Sequence, residues 1–208
     1  MIELFILDDH VSKVIVFEGD SLSDINFSPS LINASEKIVL SGWATSDDDV
    51  YNVATGGERA EQSITEFPTQ ILPKYDPLKY NMVIYWMGTN DLYNPPYYRT
   101  GAVTYEYIRQ EWDLCKSNGF KVIANTIIAR GTWNSVYDIE RKACNDLIRA
   151  NWSTYCEALV DLDSDSRLGG QDANLNTKYF YGDHTHLNQN GQNVVWELLL
   201  IQLNSINY

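Results

Sequence analysis

Three observations predict an α/β protein in which helices cover both faces of a central parallel sheet. Short apolar runs recur along the chain, stripes with helical periodicity separate them, and neither a linker nor a repeat divides the 208 residues. Near-continuous apolar runs are typical of strands that are buried on both faces. Strands and helices that alternate in this way predict a three-layer α/β/α sandwich with right-handed crossovers. We expect one domain over residues 1–208.

Five segments are predicted to form the strands of this sheet, in agreement with the apolar runs and the β-branched residues in them. In chain order they are residues 13–18 (KVIVFE), 49–53 (DVYNV), 82–87 (MVIYWM), 121–128 (KVIANTII) and 158–162 (ALVDL). The prediction is weakest for the second segment, because it contains the fewest apolar residues.

Four segments carry apolar residues at helical spacing between or after these strands. They are residues 60–71, 103–115, 139–150 and 191–202. Pro68 is expected to break the first helix, because proline lacks the backbone N–H that a helix interior needs. In the third helix, the buried stripe is predicted to consist of Ile139, Ala143, Leu147 and Ala150.

The composition excludes several classes of function. A formal net charge of −13 at pH 7 disfavours nucleic acid or an anionic membrane as a partner, because such binders carry stripes of Lys and Arg. The three cysteines show neither metal-like spacing nor a disulfide framework. The apolar start of the chain has no basic segment before it, and no segment is long enough to span a membrane. We therefore expect a cytoplasmic location by default.

Polar motifs follow the predicted strands at positions that converge in an α/β sheet. EGDSLSD follows the first strand and contains Ser21, NVATGGE contains Gly56 and Gly57, and GTNDLY contains Asn90. GDHTHLN lies directly before the last predicted helix. Ligands of open α/β sheets bind outside the carboxyl ends of the strands. We therefore expect these four motifs to form one site.

The residue types in these motifs are those that acyl transfer requires. Ser21 is a weak nucleophile until a base takes its proton, and His186 can supply that base. Asp183 can orient the second ring nitrogen of that histidine and stabilise the imidazolium. The backbone N–H groups of Ser21 and Gly57, together with the side-chain amide of Asn90, can stabilise an oxyanion.

Together, the motifs resemble the four signature blocks of the SGNH (GDSL) hydrolase superfamily, in the family's order and over most of the chain. The blocks are GDSL at 19–22, Gly57 in NVATGG, GTND at 88–91 and the Asp183/His186 pair. The resemblance implies a flavodoxin-like sheet and an esterase. It also implies that Ser21 is the nucleophile and that His186, supported by Asp183, is the base. Gly57 and Asn90 are expected to complete the oxyanion hole with the Ser21 amide.

Two positions depart from the family's usual pattern. Gly56 stands where serine is frequent, which is expected to loosen that loop, and His184 stands where glycine is frequent. A zinc or copper site made of Asp183, His184 and His186 is therefore an alternative. Because no further Cys/His/Asp cluster completes a coordination shell, we expect neither a metal nor a cofactor.

Aromatic and basic residues near the predicted strand ends indicate the class of substrate. Flat amphipathic rings suit sugar faces, and guanidinium groups suit hydroxyls or carboxylates. No segment resembles a long apolar lid, so we predict removal of short acyl groups, chiefly acetyl, from an O-acetylated oligo- or polysaccharide or a small ester. The predicted substrate contacts are Tyr97, Tyr98, Arg130, Trp133 and His184, with Arg99, Tyr179 and Tyr181 near the same cleft.

Three alternatives stay open. The first is a lipolytic esterase or acyl-thioesterase of the same family, which a preference for octanoate over acetate esters would indicate. The second is a catalytically silent carbohydrate-binding module, against which the intact set of Ser21, Asn90, Asp183 and His186 argues. The third is the metalloprotein, whose function chelation would abolish.

Overall fold

Five strands form one parallel sheet in the order β2-β1-β3-β4-β5 in the computed structural model of the chain. The structure describes residues 11–28, 30–93, 98–131 and 135–208. The strands are β1 (Lys13–Gly19), β2 (Asp49–Asn52), β3 (Tyr80–Trp86), β4 (Lys121–Asn125) and β5 (Ala158–Val160). All four strand pairs are parallel, and their order is that of flavodoxin-like folds. The predicted fold class is confirmed.

Helices cover both faces of the sheet and enclose two apolar cores. They are α1 (Ala34–Leu40), α2 (Ala60–Gln70), α3 (Thr89–Tyr93), α4 (Gly101–Ser117), α5 (Ser135–Tyr155) and α6 (Gln189–Leu203). Residues of α1 and α6 lie in one core, and residues of α2, α4 and α5 lie in the other. Successive residues of β1 alternate between these cores, because side chains of a strand point to opposite faces.

The central pair β1–β3 brings two of the polar motifs together. Gly19 is the register partner of Trp86, so the turn that contains Ser21 begins beside the start of α3. A Cβ atom at position 19 would lie 2.7 Å from the carbonyl oxygen of Trp86. Glycine is therefore required at this position by the close approach of the two strands.

Strand β4 ends at Asn125, three residues before the end of the predicted strand, 121–128. The residues that follow stay buried: Thr126 N–H still donates to the Val160 carbonyl of β5 at 3.2 Å, but Ile127 bonds to a side chain. Asn145 accepts from the Ile127 backbone N–H at 2.8 Å and donates to the Ile127 carbonyl at 2.8 Å. The predicted strand 158–162 is likewise shorter, because a 3₁₀ turn begins at Leu162.

The predicted buried stripe of α5 is wrong. Ile139, Ala143 and Ala150 face solvent and Leu147 is half-buried. The buried residues among those described in this helix are Tyr137, Arg141, Cys144, Asn145 and Ile148. Arg141 and Asn145 are polar, and both donate hydrogen bonds to the Ile127 carbonyl. Apolar periodicity misplaces a helix face when the buried groups are polar and satisfied by hydrogen bonds.

Two local features also differ from expectation. Pro68 does not break α2, which continues to Gln70 and carries the proline on its exposed side near the end. Helix α1 is not predicted by the apolar spacing, because it has only seven residues. It begins with a capping box in which Asn33 accepts from the Glu36 N–H and the Glu36 carboxylate accepts from the Asn33 N–H.

Across the described ranges, no helix is long and apolar enough to cross a membrane.

Helix α4 carries a carboxyl group into the apolar core. Glu111 is fully buried, and its Oε2 has no hydrogen-bond partner within the described residues. Burial raises the pKa of Glu111 from its ordinary value of 4.5 to about 8. The folded chain therefore keeps this proton between about pH 4.5 and 8, whereas the unfolded chain loses it.

We expect the free energy of unfolding to fall as pH rises through this window, by up to about 1.4 kcal/mol per pH unit from Glu111. Replacing Glu111 with Gln should remove this part of the slope and stabilise the protein at pH 8 relative to wild type. Urea denaturation at pH 5, 6.5 and 8 measures the effect, with Asp172→Asn as the control at an exposed carboxylate. Equal slopes in wild type and Glu111→Gln would show that Glu111 is ionised in the folded chain.

Candidate active site

The three residues of the predicted triad form a continuous chain of hydrogen bonds. Ser21 Oγ lies 2.9 Å from His186 Nε2, and His186 Nδ1 lies 2.6 Å from Asp183 Oδ2. A proton on Nδ1 is donated to the carboxylate, which leaves the Nε2 lone pair facing the serine hydroxyl. This arrangement can remove the hydroxyl proton when Ser21 attacks a carbonyl carbon.

The carboxylate of Asp183 is held ionised by its neighbours. Its Oδ1 accepts from the backbone N–H groups of Thr185 and His186, each at 3.0 Å. Partial burial raises the pKa of Asp183, but these bonds and the bond to the His186 ring outweigh it and hold the pKa below its ordinary value. The loop thus presents a negative charge to the imidazole at neutral pH.

Helix α6 aligns the histidine loop with the serine turn. Asn188 caps the helix by accepting from the N–H groups of Asn190 and Gly191. One turn later, Gln192 donates to the Leu22 carbonyl at 2.9 Å, within the turn that carries Ser21. This buried bond fixes the two halves of the triad relative to each other.

The loop at residues 55–58 is tied to the serine turn on one side. Thr55 N–H donates to the Gly19 carbonyl at 2.9 Å, and Gly56 N–H donates to Asp24 Oδ2 at 3.0 Å. A Cβ at Gly56 would lie 3.9 Å from the Cβ of Ser21, so this loop lies directly beside the predicted nucleophile. The glycine that was expected to loosen the loop is therefore anchored. Gly57 has a φ of +83°, a conformation that favours glycine.

The same loop is tied to Asn90 on its other side. The Asn90 amide donates to the Glu58 carbonyl at 2.9 Å, and Ala60 N–H donates to Asp91 Oδ2 at 2.9 Å. Asn90 is 4% exposed, and its orientation is fixed by partners on both ends of the amide. The structure thus brings Ser21, Gly57 and Asn90 to one edge of the sheet, where the sequence places them.

The structure places His184 against the protein rather than in the line of the triad. One of its ring nitrogens, Nδ1, lies 3.2 Å from the Asn174 carbonyl. Its φ of +56° is in the left-handed region, which costs most residues about 1 kcal/mol or more and explains why glycine suits this position. Both ring nitrogens of His186 are occupied by Ser21 and Asp183. Among the described residues, no group of three or more His, Cys, Asp or Glu side chains is arranged to hold a metal ion.

Two arginines that were placed near the cleft make contacts within the protein. Arg99 pairs with Asp91 at 2.6 Å and with Glu61, which buries most of its charge. Arg130 donates to Asn90 Oδ1 at 2.8 Å.

The aromatic residues of the predicted cleft differ in their exposure to solvent. Tyr98 and Tyr181 are exposed, as a substrate contact would require. Tyr179 is half-buried and packs against the core that contains residues of α1 and α6. Tyr97 and Trp133 lie outside the described residues.

Phe27 is a site residue that the sequence analysis missed. Its ring stacks on the His186 imidazole, with ring centroids 4.1 Å apart and an interplanar angle of 28°. Phe27 is also 48% exposed, which is unusual for so large an apolar side chain. No sequence signal marks it, because Phe27 and His186 come from distant parts of the chain.

A small cavity opens beside the serine hydroxyl. Its volume is about 20 Å³, enough for about one water molecule. The residues around it include Ser21, Phe27, Leu31, Tyr181 and His186. A methyl-sized group fits a space of this size.

The family of GDSL-like lipases and acylhydrolases matches residues 15–199. The comparison with curated protein sequences gave no match.

Three solved structures illustrate the shared fold. A member of the lipolytic G-D-S-L family from Veillonella parvula is 16% identical, with a TM-score of 0.71 over 94% of this chain and 100% of that chain. A variant of Axe2, an acetyl-xylooligosaccharide esterase from Geobacillus, is 9% identical, with a TM-score of 0.69 over 95% and 97%. The psychrotrophic esterase EstA from Pseudoalteromonas is 13% identical, with a TM-score of 0.67 over 92% and 97%.

At sequence identities this low, the similarity to these structures shows the fold only. The family match covers nearly the whole sheet and every motif of the candidate site. The chain therefore belongs to the GDSL-like lipase/acylhydrolase family and is a carboxylic ester hydrolase.

Proposed function

We propose that this protein is a serine esterase that removes acetyl or similarly short acyl groups from an O-acetylated carbohydrate. The observation that carries the proposal is the chain of hydrogen bonds from Ser21 through His186 to Asp183. The small cavity beside Ser21 supports a short acyl group, and exposed Tyr98 and Tyr181 offer rings that suit sugar faces. The Geobacillus neighbour, named an acetyl-xylooligosaccharide esterase, supports the same substrate class.

Acylation begins when Ser21 Oγ attacks the ester carbonyl carbon and its proton passes to His186 Nε2. The negative charge that develops on the carbonyl oxygen is stabilised by the Ser21 and Gly57 N–H groups and the Asn90 amide. The intermediate collapses as the bond to the alcohol oxygen breaks, and the imidazolium donates its proton to that oxygen. The deacylated sugar leaves as an alcohol, and the acyl group stays on Ser21 as an ester.

Deacylation repeats these steps with water as the nucleophile. His186 Nε2 takes a proton from water as its oxygen attacks the acyl carbon, and the bond to Ser21 Oγ then breaks. The same proton returns to Ser21, and the carboxylic acid is released. Asp183 stays ionised throughout and stabilises the imidazolium in both halves.

Ser21→Ala and His186→Ala are each expected to lower kcat for an acetate ester by about 10³-fold or more with the fold intact. The double variant should be little slower than either single variant, because the two residues act as one unit. Steady-state kinetics measure the loss, and circular dichroism controls for folding. Near-normal turnover in either single variant would overturn the assignment of the triad.

Acetate esters should be hydrolysed at least about tenfold faster, in kcat/KM, than octanoate esters, because the cavity beside Ser21 is small and suits a short acyl group. Leu31→Ala should widen the cavity and narrow this ratio, whereas Leu78→Ala, at a residue 90% exposed, should leave it unchanged. A preference for octanoate would favour the lipolytic or thioesterase alternative. Release of acetate from a panel of acetylated glycans then identifies the carbohydrate.

His184→Ala should keep kcat/KM within about tenfold of wild type, and treatment with a chelator should not change the activity. The reason is that Ser21 needs only an imidazole base and fixed dipoles, and Asp183 and His186 are committed to each other. Stoichiometric zinc in the purified protein, with activity that returns only when zinc is added back, would contradict this. A His184→Ala variant as inactive as Ser21→Ala would give that histidine a catalytic role.

A further inference from the structure

Arg130 makes its strongest contact with a residue of the candidate oxyanion hole. Its Nη1 donates to Asn90 Oδ1 at 2.8 Å and approaches Thr89 Oγ1 at 3.4 Å. At the other end of the amide, Asn90 Nδ2 donates to the Glu58 carbonyl at 2.9 Å. That bond uses one amide hydrogen and leaves the second for an oxyanion.

The side chain of Arg130 is partly buried and packs against an aromatic ring of the protein. It lies over the Tyr93 ring at 4.7 Å, and Tyr93 packs edge-on against Tyr137 at 5.6 Å. Arg130 Nε is buried and has no hydrogen-bond partner in the described part of the chain. A charged group is held in such a place at a cost, so its position calls for a function.

The backbone around Arg130 is fixed to the histidine loop and to the segment that precedes it. Gly131 N–H donates to the His184 carbonyl at 2.7 Å, and Ala129 N–H donates to the Leu168 carbonyl at 3.0 Å. Gly131 has a φ of +76°, and a Cβ there would lie 2.9 Å from the Tyr93 ring. The backbone that carries Arg130 is therefore fixed, and from this position its guanidinium reaches Asn90.

A cation bound to an amide oxygen changes what the amide nitrogen can do. The bond to Oδ1 draws electron density away from the nitrogen, and this strengthens the N–H groups as hydrogen-bond donors. It also fixes which end of the amide faces the site, because only the oxygen can accept from a guanidinium. Both effects are worth most in the transition state, when negative charge develops on the carbonyl oxygen.

We propose that Arg130 is a positioning residue that orients and polarises the Asn90 amide for the oxyanion, rather than a contact of the substrate. The proposal rests on the proposed function, because it assigns Asn90 to the oxyanion hole. It replaces the substrate-binding role that the sequence predicts for Arg130.

Arg130→Ala is expected to lower kcat for an acetate ester by about 10- to 100-fold and to change KM less than about threefold. In the Asn90→Ala background, the same substitution should cost less than about threefold, because Arg130 acts through that amide. Guanidinium ion at millimolar, non-denaturing concentration should restore part of the activity of Arg130→Ala and none of that of Asn90→Ala.

Arg130→Lys is the second variant, in case the alanine variant does not fold. It keeps the positive charge but not the planar group that bonds Asn90 and stacks on Tyr93, so kcat should again fall with KM nearly unchanged. A rise in KM at unchanged kcat would overturn the proposal and make Arg130 a substrate contact. Losses that multiply with those of Asn90→Ala would also overturn it. Either result leaves the esterase assignment standing, whereas an active Ser21→Ala would remove the proposed function itself.

Discussion

The hydrogen bond between Ser21 Oγ and His186 Nε2 joins groups 165 residues apart, and the rest of the site depends on it. The sheet order makes this contact possible. Because β1 lies between β2 and β3, the turns that follow these three strands sit side by side at one edge. Helix α6 packs in the core beside β1 and holds the serine turn directly through Gln192. The catalytic bond is therefore set by the sheet and one helix.

Backbone and side-chain hydrogen bonds then join the turns to one another. The loop at residues 55–58 bonds to Gly19 and Asp24 on the serine side and to Asn90 on the other. An oxyanion hole is effective when its donors are fixed before the charge develops, because little free energy is then spent on reorganisation. Arg130 extends this network to the segment that follows β4. The next residue, Gly131, donates its N–H to the His184 carbonyl in the histidine loop.

Buried polar groups of α5 hold the segment between β4 and Arg130. Arg141 and Asn145 both donate to the Ile127 carbonyl, and Tyr137 donates to the Ile128 carbonyl at 3.3 Å. Arg141 also pairs with Asp138 and Asp163, so its buried charge is compensated. This polar contact explains two sequence predictions that were wrong, the length of β4 and the buried face of α5. The spacing of apolar residues does not reveal interfaces that are stabilised by hydrogen bonds.

The amino-acid sequence by itself determined the fold class, the strands and the four motifs of the site. It could do so because parallel strands are apolar along their length and because strand ends converge in this type of sheet. It did not determine the partners of Arg99, Arg130 and His184, nor that Phe27 stacks on His186. Those contacts join residues that are distant in the chain or depend on the direction of one side chain. Only the packing of loops in the tertiary structure decides whether an arginine near a strand end contacts a substrate or another residue of the protein.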